Sequence, residues 1–336
     1  MTKLLRPSRT LIIVGVAVRL ITCGHAALVP RPGKDDLRRL VGDQIGDVKV
    51  LNWAAGDLEA TNLVIYKIEA PKYNREQLLT LAKNLGVTGE PERMPSSFSS
   101  APGYWIKEAN PTNRPWFKAV SFSEKSGSYV FAGDEDDHRW DLKNHRPLVR
   151  GVPTADEALA KTLQLLPMFN LTTNDLERTA EGKLRWRCTT DGTTYTDKTD
   201  GKKKRFIRRS NVMLWQRMPG GGSTFSIGGG GMLEASYISD GKLAQVECVF
   251  RKLRPVGTAK LMNRNQIIQA LKRGDARSFQ MPSCQNLTIT NCSLVYPQLS
   301  GDHKQSFVWP FYAASGFEIG DGETNYVAFY LLPPSD

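Results

Sequence analysis

The sequence predicts an α+β protein built as tandem modules, each a helix packed on an antiparallel sheet. Capped amphipathic helical segments recur, each followed by runs that alternate apolar and polar residues. Turn signals such as Lys125-Ser126-Gly127 and Asp240-Gly241 join consecutive strand patterns and favour antiparallel pairing. The strand-by-helix alternation that a doubly wound parallel sheet needs is absent, as are GxGxxG after a strand and GxxxxGK[ST].

A short helix is expected near Asp36 to Val41, and Asn62 to Ala70 alternates as a strand. The next helix is capped by Asn74 with Gln77 three residues on, is lined by Leu78, Leu81, Ala82 and Leu85, and stops at Gly86. Strand patterns follow at Gly103 to Ala109, Trp116 to Ser123 and Ser128 to Ala132. The polar stretch 133–153 ends in Pro153 and reads as a boundary. Thr154 with Glu157 then opens a second helix, carrying Ala158, Leu159, Thr162, Leu163 and Leu166 on its apolar stripe. Strands are expected at Leu184 to Thr189 and Thr193 to Lys198, joined by a turn at Asp191-Gly192, and at Val212 to Met218. Met232 to Ile238 and Lys242 to Lys252 flank the Asp240-Gly241 hairpin signal. Asn263 with Gln266 opens a third helix that buries Ile267, Ile268, Ala270 and Leu271 and ends at Gly274; Leu287 to Tyr296, Ser306 to Ala313 and Asn325 to Leu332 close the chain as strands.

At 336 residues the chain has room for about two domains. Its 40% hydrophobic and 24% charged residues, with 29 Gly and 19 Pro, are globular values that exclude a wholly disordered, collagen-like or coiled-coil chain. The expected organisation is a signal peptide over 1–26, a linker with a short helix over 27–60, an N-terminal module over 61–150 and a C-terminal module over 151–336. The leader has Lys3, Arg6 and Arg9 ahead of the apolar run Thr10 to Val18, with Gly24 and Ala26 at the −3 and −1 positions of a cut. Its apolar run is short for a membrane span of about 20 residues. The expected location is therefore secreted or periplasmic, outside the cytoplasm; the alternative is lipid anchoring at Cys23, or retention of the leader as an anchor.

Net charge is +11, from 45 basic and 34 acidic residues. The leader holds four basic and no acidic side chains, which leaves 41 against 34 after cleavage. An exported basic protein meets an envelope protein, an anionic polymer or a membrane surface rather than nucleic acid. Lys202, Lys203, Lys204, Arg205, Arg208 and Arg209 surround Phe206 and Ile207 and are the candidate polyanion-binding residues; the competing reading is a mobile hairpin tip whose charges aid solubility. Asp134 to His138 is the densest acidic cluster, but its spacing is not that of an EF-hand and it reads as a solvated loop. The tract Gly220 to Gly231 lies between strands rather than opening a helix, so it reads as a mobile loop or a bulge, not a phosphate cradle.

Export makes disulfides plausible among Cys188, Cys248, Cys284 and Cys292; four thiols allow three pairings, and buried free thiols are the other reading. No CxxC supports a zinc knuckle, and no metal or other cofactor is expected. Ser239 to Lys242 fits SxxK by letters but lies at a hairpin turn, and GxSxG and HExxH are absent. Beyond the leader the histidines are His138, His145 and His303, and no catalytic residue is assigned. Trp186, Trp215 and Trp309 lie within strand patterns and read as core. Asn170, Asn286 and Asn291 fit the N-glycosylation pattern, which matters only in a eukaryotic host.

Four features of the second half, with the strand segments that follow the last of them, resemble exported regulatory proteins of the YycI/YycH type and the PepSY-like domains. They are the helix start Thr154 to Leu159, the run Gly228 to Gly231 entering Met232 to Tyr237, the Asp240-Gly241 hairpin, and Asn263 to Gly274, followed by Leu294 to Tyr296 and then Val308 to Tyr312. The resemblance implies helix-on-sheet modules outside the membrane that act without catalysis, by contacting sensor kinases or restraining other exported proteins. This leader departs from the membrane helix of those regulators, being short and broken by Arg19. The functional expectation is an exported, non-catalytic protein that binds or regulates an envelope partner. The alternatives are an envelope hydrolase whose active site assembles only in three dimensions, and a structural envelope component.

Overall fold

The computed structural model describes residues 31–336 apart from 47, 57–62, 96–101, 109–117, 134–139, 142–145, 148–150, 280–286, 321–322 and 334–336. The helices are α1 (Lys34–Val41), α2 (Arg75–Asn84), α3 (Ala155–Leu165) and α4 (Arg264–Lys272). The strands are β1 (Asp43–Gln44), β2 (Val50–Trp53), β3 (Leu63–Ile68), β4 (Glu92–Arg93), β5 (Gly103–Lys107), β6 (Ala119–Ser123), β7 (Tyr129–Ala132), β8 (Trp140–Asp141), β9 (Arg146–Pro147), β10 (Trp186–Thr196), β11 (Lys203–Trp215), β12 (Ser223–Ile227), β13 (Met232–Tyr237), β14 (Leu243–Cys248), β15 (Leu253–Ala259), β16 (Arg277–Ser278), β17 (Leu287–Leu299), β18 (Phe307–Val308), β19 (Phe311–Gly320) and β20 (Glu323–Leu331). The class is α+β, with more strand than helix.

Local chemistry sets the helix ends. Asn74 Oδ1 accepts the Gln77 amide at the start of α2. Thr154 with Glu157, and Asn263 with Gln266, form reciprocal capping boxes that satisfy otherwise orphaned amides at the starts of α3 and α4. Gly86 and Gly274 end α2 and α4 at φ +72° and +71°, backbone that suits glycine. The hairpin signal also holds: Asp240 and Gly241 adopt φ 58° and 68° between β13 and β14. That is the pair of left-handed residues a tight two-residue turn requires.

Two sheets dominate. One has eight antiparallel strands in the order β10-β11-β13-β14-β7-β6-β5-β4. α2 and α3 cover one face of it, and Leu78, Leu81, Ile106, Phe122, Val212 and Leu233 are buried between helices and strands. The other has the order β1-β16-β20-β19-β17-β12, with β2 also on β17, and α1 and α4 pack against it. A three-stranded sheet, β15-β3-β18, holds the fully buried Tyr66.

These sheets correct the expected organisation. The boundary at residue 150 cuts through the eight-stranded sheet, because β14 pairs with β7 from Cys248↔Tyr129 to Gln245↔Ala132. Part of the 27–60 linker is likewise sheet: β1 pairs with β16, and β2 runs parallel to β17. Each helix-on-sheet layer is thus assembled from separated segments of the chain. Asp191-Gly192 is not a turn. β10 runs through it, and the register skips Arg208, since Asp191 faces Arg209 and Gly192 faces Ile207. An unpaired extra residue of that kind is a β-bulge.

The glycine tract is not a loop either. It contains β12, which runs parallel to β17 from Ser223↔Val295 to Ile227↔Leu299. The glycines after β12 are needed because backbones meet there. A Cβ on Gly230 would lie 2.1 Å from the Leu299 carbonyl oxygen and 2.2 Å from that of Gln298. Gly230→Ala must therefore push two carbonyls apart. It is expected to destabilise the fold by about 2 kcal/mol or more, read as a lower midpoint in urea unfolding, whereas Gly151→Ala, with open space around it, leaves the midpoint within error.

Candidate functional site

The basic segment begins at the tip of the β10–β11 hairpin, with Lys202 in the turn, and continues along β11. β11 pairs with β10 from Lys203 onward and with β13 only from Ser210 onward. Among the described residues, Lys203 to Arg209 therefore belong to a two-stranded ribbon that extends past the sheet. Before the bulge at Arg208 the side chains alternate regularly, so Lys203 and Arg205 share one face of the ribbon and Lys204 and Phe206 the other.

The ribbon's turn is held by Asp197. Its Oδ1 accepts the Thr199 amide at 2.9 Å and hydroxyl at 2.6 Å, and its Oδ2 accepts Lys204 Nζ at 2.8 Å. Lys204 also reaches Asp200 at 2.8 Å. The Lys204 ammonium and the Thr199 donors hold the Asp197 carboxyl well below the usual carboxylate range, and the two carboxylates raise Lys204 in turn. Lys204 therefore fixes the turn.

Of the six candidate cations, Lys202, Lys203 and Arg205 are exposed, while Lys204, Arg208 and Arg209 are half-buried. Arg208 Nε is buried without a hydrogen-bond partner among the described residues. Lys198, at the turn and exposed, adds a cation that sequence reasoning missed. Only knowing that the strands fold back at residues 197–202 brings it beside Lys202.

A cleft of about 920 Å³ opens where α2, the segment after α3, β6, β7 and the β14–β15 connection converge. Its floor is the partly exposed Tyr129, which rests on the buried Phe122 and Phe169 with ring centroids 5.1 Å and 6.4 Å away. Its rim carries Lys72, Arg217 and Lys252, with Glu69 and Asp175. His303 is not in its lining; it is exposed and bonds Ser300 Oγ through Nδ1 at 2.9 Å. His138 and His145 lie outside the described residues. Cys248 lines the cleft, but burial pushes its thiol up to about 12, and Tyr129 likewise to about 12. Both stay protonated at neutral pH, so neither supplies a nucleophile. The described lining can bind by apolar contact and charge; it holds no nucleophile paired with a base.

Beside the cleft lies a buried polar network. Gln216 bonds the Arg251 backbone on both sides, Nε2 donating to its carbonyl at 2.6 Å and Oε1 accepting its amide at 3.0 Å. The Gln216 carbonyl accepts the Thr224 hydroxyl at 2.6 Å, and Glu177 accepts the Thr224 amide at 3.1 Å and pairs with Arg185 at 2.6 Å. Arg251, 4% exposed, donates to the carbonyls of Leu299 and Ser300 and to Gln305 Oε1.

The described cysteines Cys188, Cys248 and Cys292 are free thiols, and Cys284 lies outside the described residues. Cys188 on β10 and Cys248 on β14 are separated by β11 and β13. Three strand spacings, roughly 14 Å, exceed the about 7 Å a disulfide spans between Cα atoms. Cys292, on β17 in the other sheet, is raised to about 12 by burial. The acidic cluster Asp134 to His138 and Asn286 fall outside the described residues. Among the described residues, no three His, Cys, Asp or Glu side chains gather as metal ligands, and no helix is long and apolar enough to cross a membrane. Trp309 is core; Trp215 is partly buried beneath the Arg185 guanidinium, 4.6 Å from its ring centroid.

The sequence matches no family model and no curated protein. A solved structure of an uncharacterized protein from Eubacterium rectale ATCC 33656 is similar at 10% identity, covering 86% of this chain and 88% of that one, with a TM-score of 0.41.

On the face of the eight-stranded sheet away from the helices, Glu234 and Glu247 stand directly opposite across β13 and β14. Burial raises both carboxyls above the usual glutamate range. Asp191 adds to the effect on Glu234, and Glu234 and Asp302 add to that on Glu247. A carboxyl raised in the folded state favours folding when protonated, so its penalty appears as pH rises above about 4.5 and persists at neutral pH. Glu247→Gln is expected to raise stability at pH 7 by up to about 1 kcal/mol, with the gain vanishing near pH 4. Thermal unfolding of both proteins across that range checks it.

Proposed function

We propose that this is an exported, non-catalytic protein that binds or regulates a partner at the cell envelope, and that the β10–β11 ribbon is its contact with an anionic envelope polymer or membrane surface. The observation that carries the reading is the ribbon itself. It extends beyond the sheet, its turn is fixed by Asp197 and Lys204, and Lys202, Lys203 and Arg205 are left exposed on it. A fixed turn costs little further ordering when it docks, so attraction to a polyanion is not offset by lost chain freedom. The leader pattern over 1–26 supports a location outside the cytoplasm, where such polymers are met. The order of elements supports a regulatory role of the YycI/YycH or PepSY-like kind.

The test is sedimentation of the full chain with phosphatidylglycerol vesicles at low salt. Replacing Lys202, Lys203 and Arg205 together by Gln is expected to weaken binding at least about tenfold, because each basic residue near an anionic surface contributes independently. Binding should also weaken as salt rises. Unchanged sedimentation of the triple variant rejects the ribbon as the contact.

A further inference from the structure

The cleft has a charge imbalance that the ribbon does not explain. Arg251, in its lining, is almost fully buried, yet its guanidinium donates only to neutral acceptors: the Leu299 carbonyl at 2.7 Å, the Ser300 carbonyl at 3.3 Å and Gln305 Oε1 at 3.3 Å. Among the described residues no carboxylate pairs with it, and burial lowers its pKa to about 10 with no anion to offset the effect. A buried charge without a counter-charge is costly to hold. The guanidinium's partners Leu299, Ser300 and Gln305 lie outside the cleft lining, so the cations that face the recess are Arg217, Lys252 and Lys72 on the rim. Of the two rim carboxylates, Asp175 is bound by Thr172, its Oδ2 accepting the amide at 2.8 Å and the hydroxyl at 2.9 Å. Glu69 remains. Three exposed rim cations thus face two carboxylates around a recess floored by the partly exposed Tyr129, with Phe122 and Phe169 buried beneath it.

We propose that this cleft binds an amphipathic organic anion, with an aromatic or short acyl body laid against Tyr129 and Phe250 and a single carboxylate, sulfonate or phosphate at the rim formed by Arg217 and Lys252. Three features define that class. The volume of about 920 Å³ is within the range of small-molecule sites. The aromatic floor favours a flat or chain-like apolar body over a hydrated sugar or a bare ion. The rim cations Arg217, Lys252 and Lys72 outnumber the two rim carboxylates and select a negative head. The site is independent of the ribbon.

Fluorescence titration of the full chain with 1-anilinonaphthalene-8-sulfonate, and with its uncharged relative N-phenyl-1-naphthylamine, tests the proposal. Expected is saturable binding of one sulfonate per chain. The variant carrying Arg217→Gln and Lys252→Gln should weaken it at least tenfold while changing affinity for the uncharged probe less than twofold. Both residues are exposed, so the variant should keep the thermal midpoint of the parent, which is measured alongside. The Lys202, Lys203 and Arg205 triple Gln variant should bind the sulfonate as the parent does. Three results would each overturn the proposal: no saturable binding, equal affinity of the double variant and the parent, or equal loss for both probes. Should the double variant lose its thermal midpoint, Arg217→Lys and Lys252→Arg, which keep charge, replace it; a tenfold loss there also counts against a charge-selected site.

Discussion

The structure depends on a buried set of hydrogen bonds centred on Gln216. Its side chain clamps the Arg251 backbone, its carbonyl takes the Thr224 hydroxyl, and its amide donates to the Gly231 carbonyl. Those partners lie on different elements: Thr224 on β12, Gly231 just before β13, and Arg251 between β14 and β15. Arg251 carries the link on to the end of β17 at Leu299. The two large sheets are therefore joined by polar contacts with almost no access to water. Removing one partner would leave buried donors or acceptors unpaired, a larger cost than the net worth of any single bond.

That clamp accounts for the interleaved course of the chain. β12 leaves the eight-stranded sheet after β11, pairs with β17 in the other sheet, and returns through Gly228 to Gly231 to form β13. The glycines let the returning backbone pass against Gln298 and Leu299, where no side chain has space. The same crossing places Arg217 and Arg251 next to the aromatic floor laid down by β6, β7 and the segment after α3. The cleft is a consequence of how the layers are joined rather than a feature of either one.

The ribbon depends on the opposite circumstance. β13 stops at Tyr237, opposite Ser210, and turns at Asp240-Gly241. β11 and β10 continue without that neighbour, so their cations meet solvent on a support stiffened by the Asp197 turn. Tethering Lys204 inside that turn lowers the number of charges available outside but fixes where the remaining ones stand. The carboxylates Glu234 and Glu247, by contrast, face one another, half-buried, on the side of the same sheet away from α2 and α3. The basic ribbon and the acidic face thus give the sheet an uneven charge distribution.

The sequence by itself determined what short-range chemistry controls. Helix starts at Asn74, Thr154 and Asn263 were legible because a cap and its partner lie three residues apart, and Gly86, Gly274 and Asp240-Gly241 because positive φ favours those residue types. The α+β class followed from the same local periods, as did the position of the basic run. Tertiary structure alone decided which strands pair, because partners such as Val130 and Glu247 are far apart in the chain and local pattern does not encode a neighbour at that distance. For that reason residue 150 read as a boundary and Asp191-Gly192 as a turn. Half of the basic run proved partly buried, and the cleft was invisible, because burial and charge balance exist only once distant segments have met.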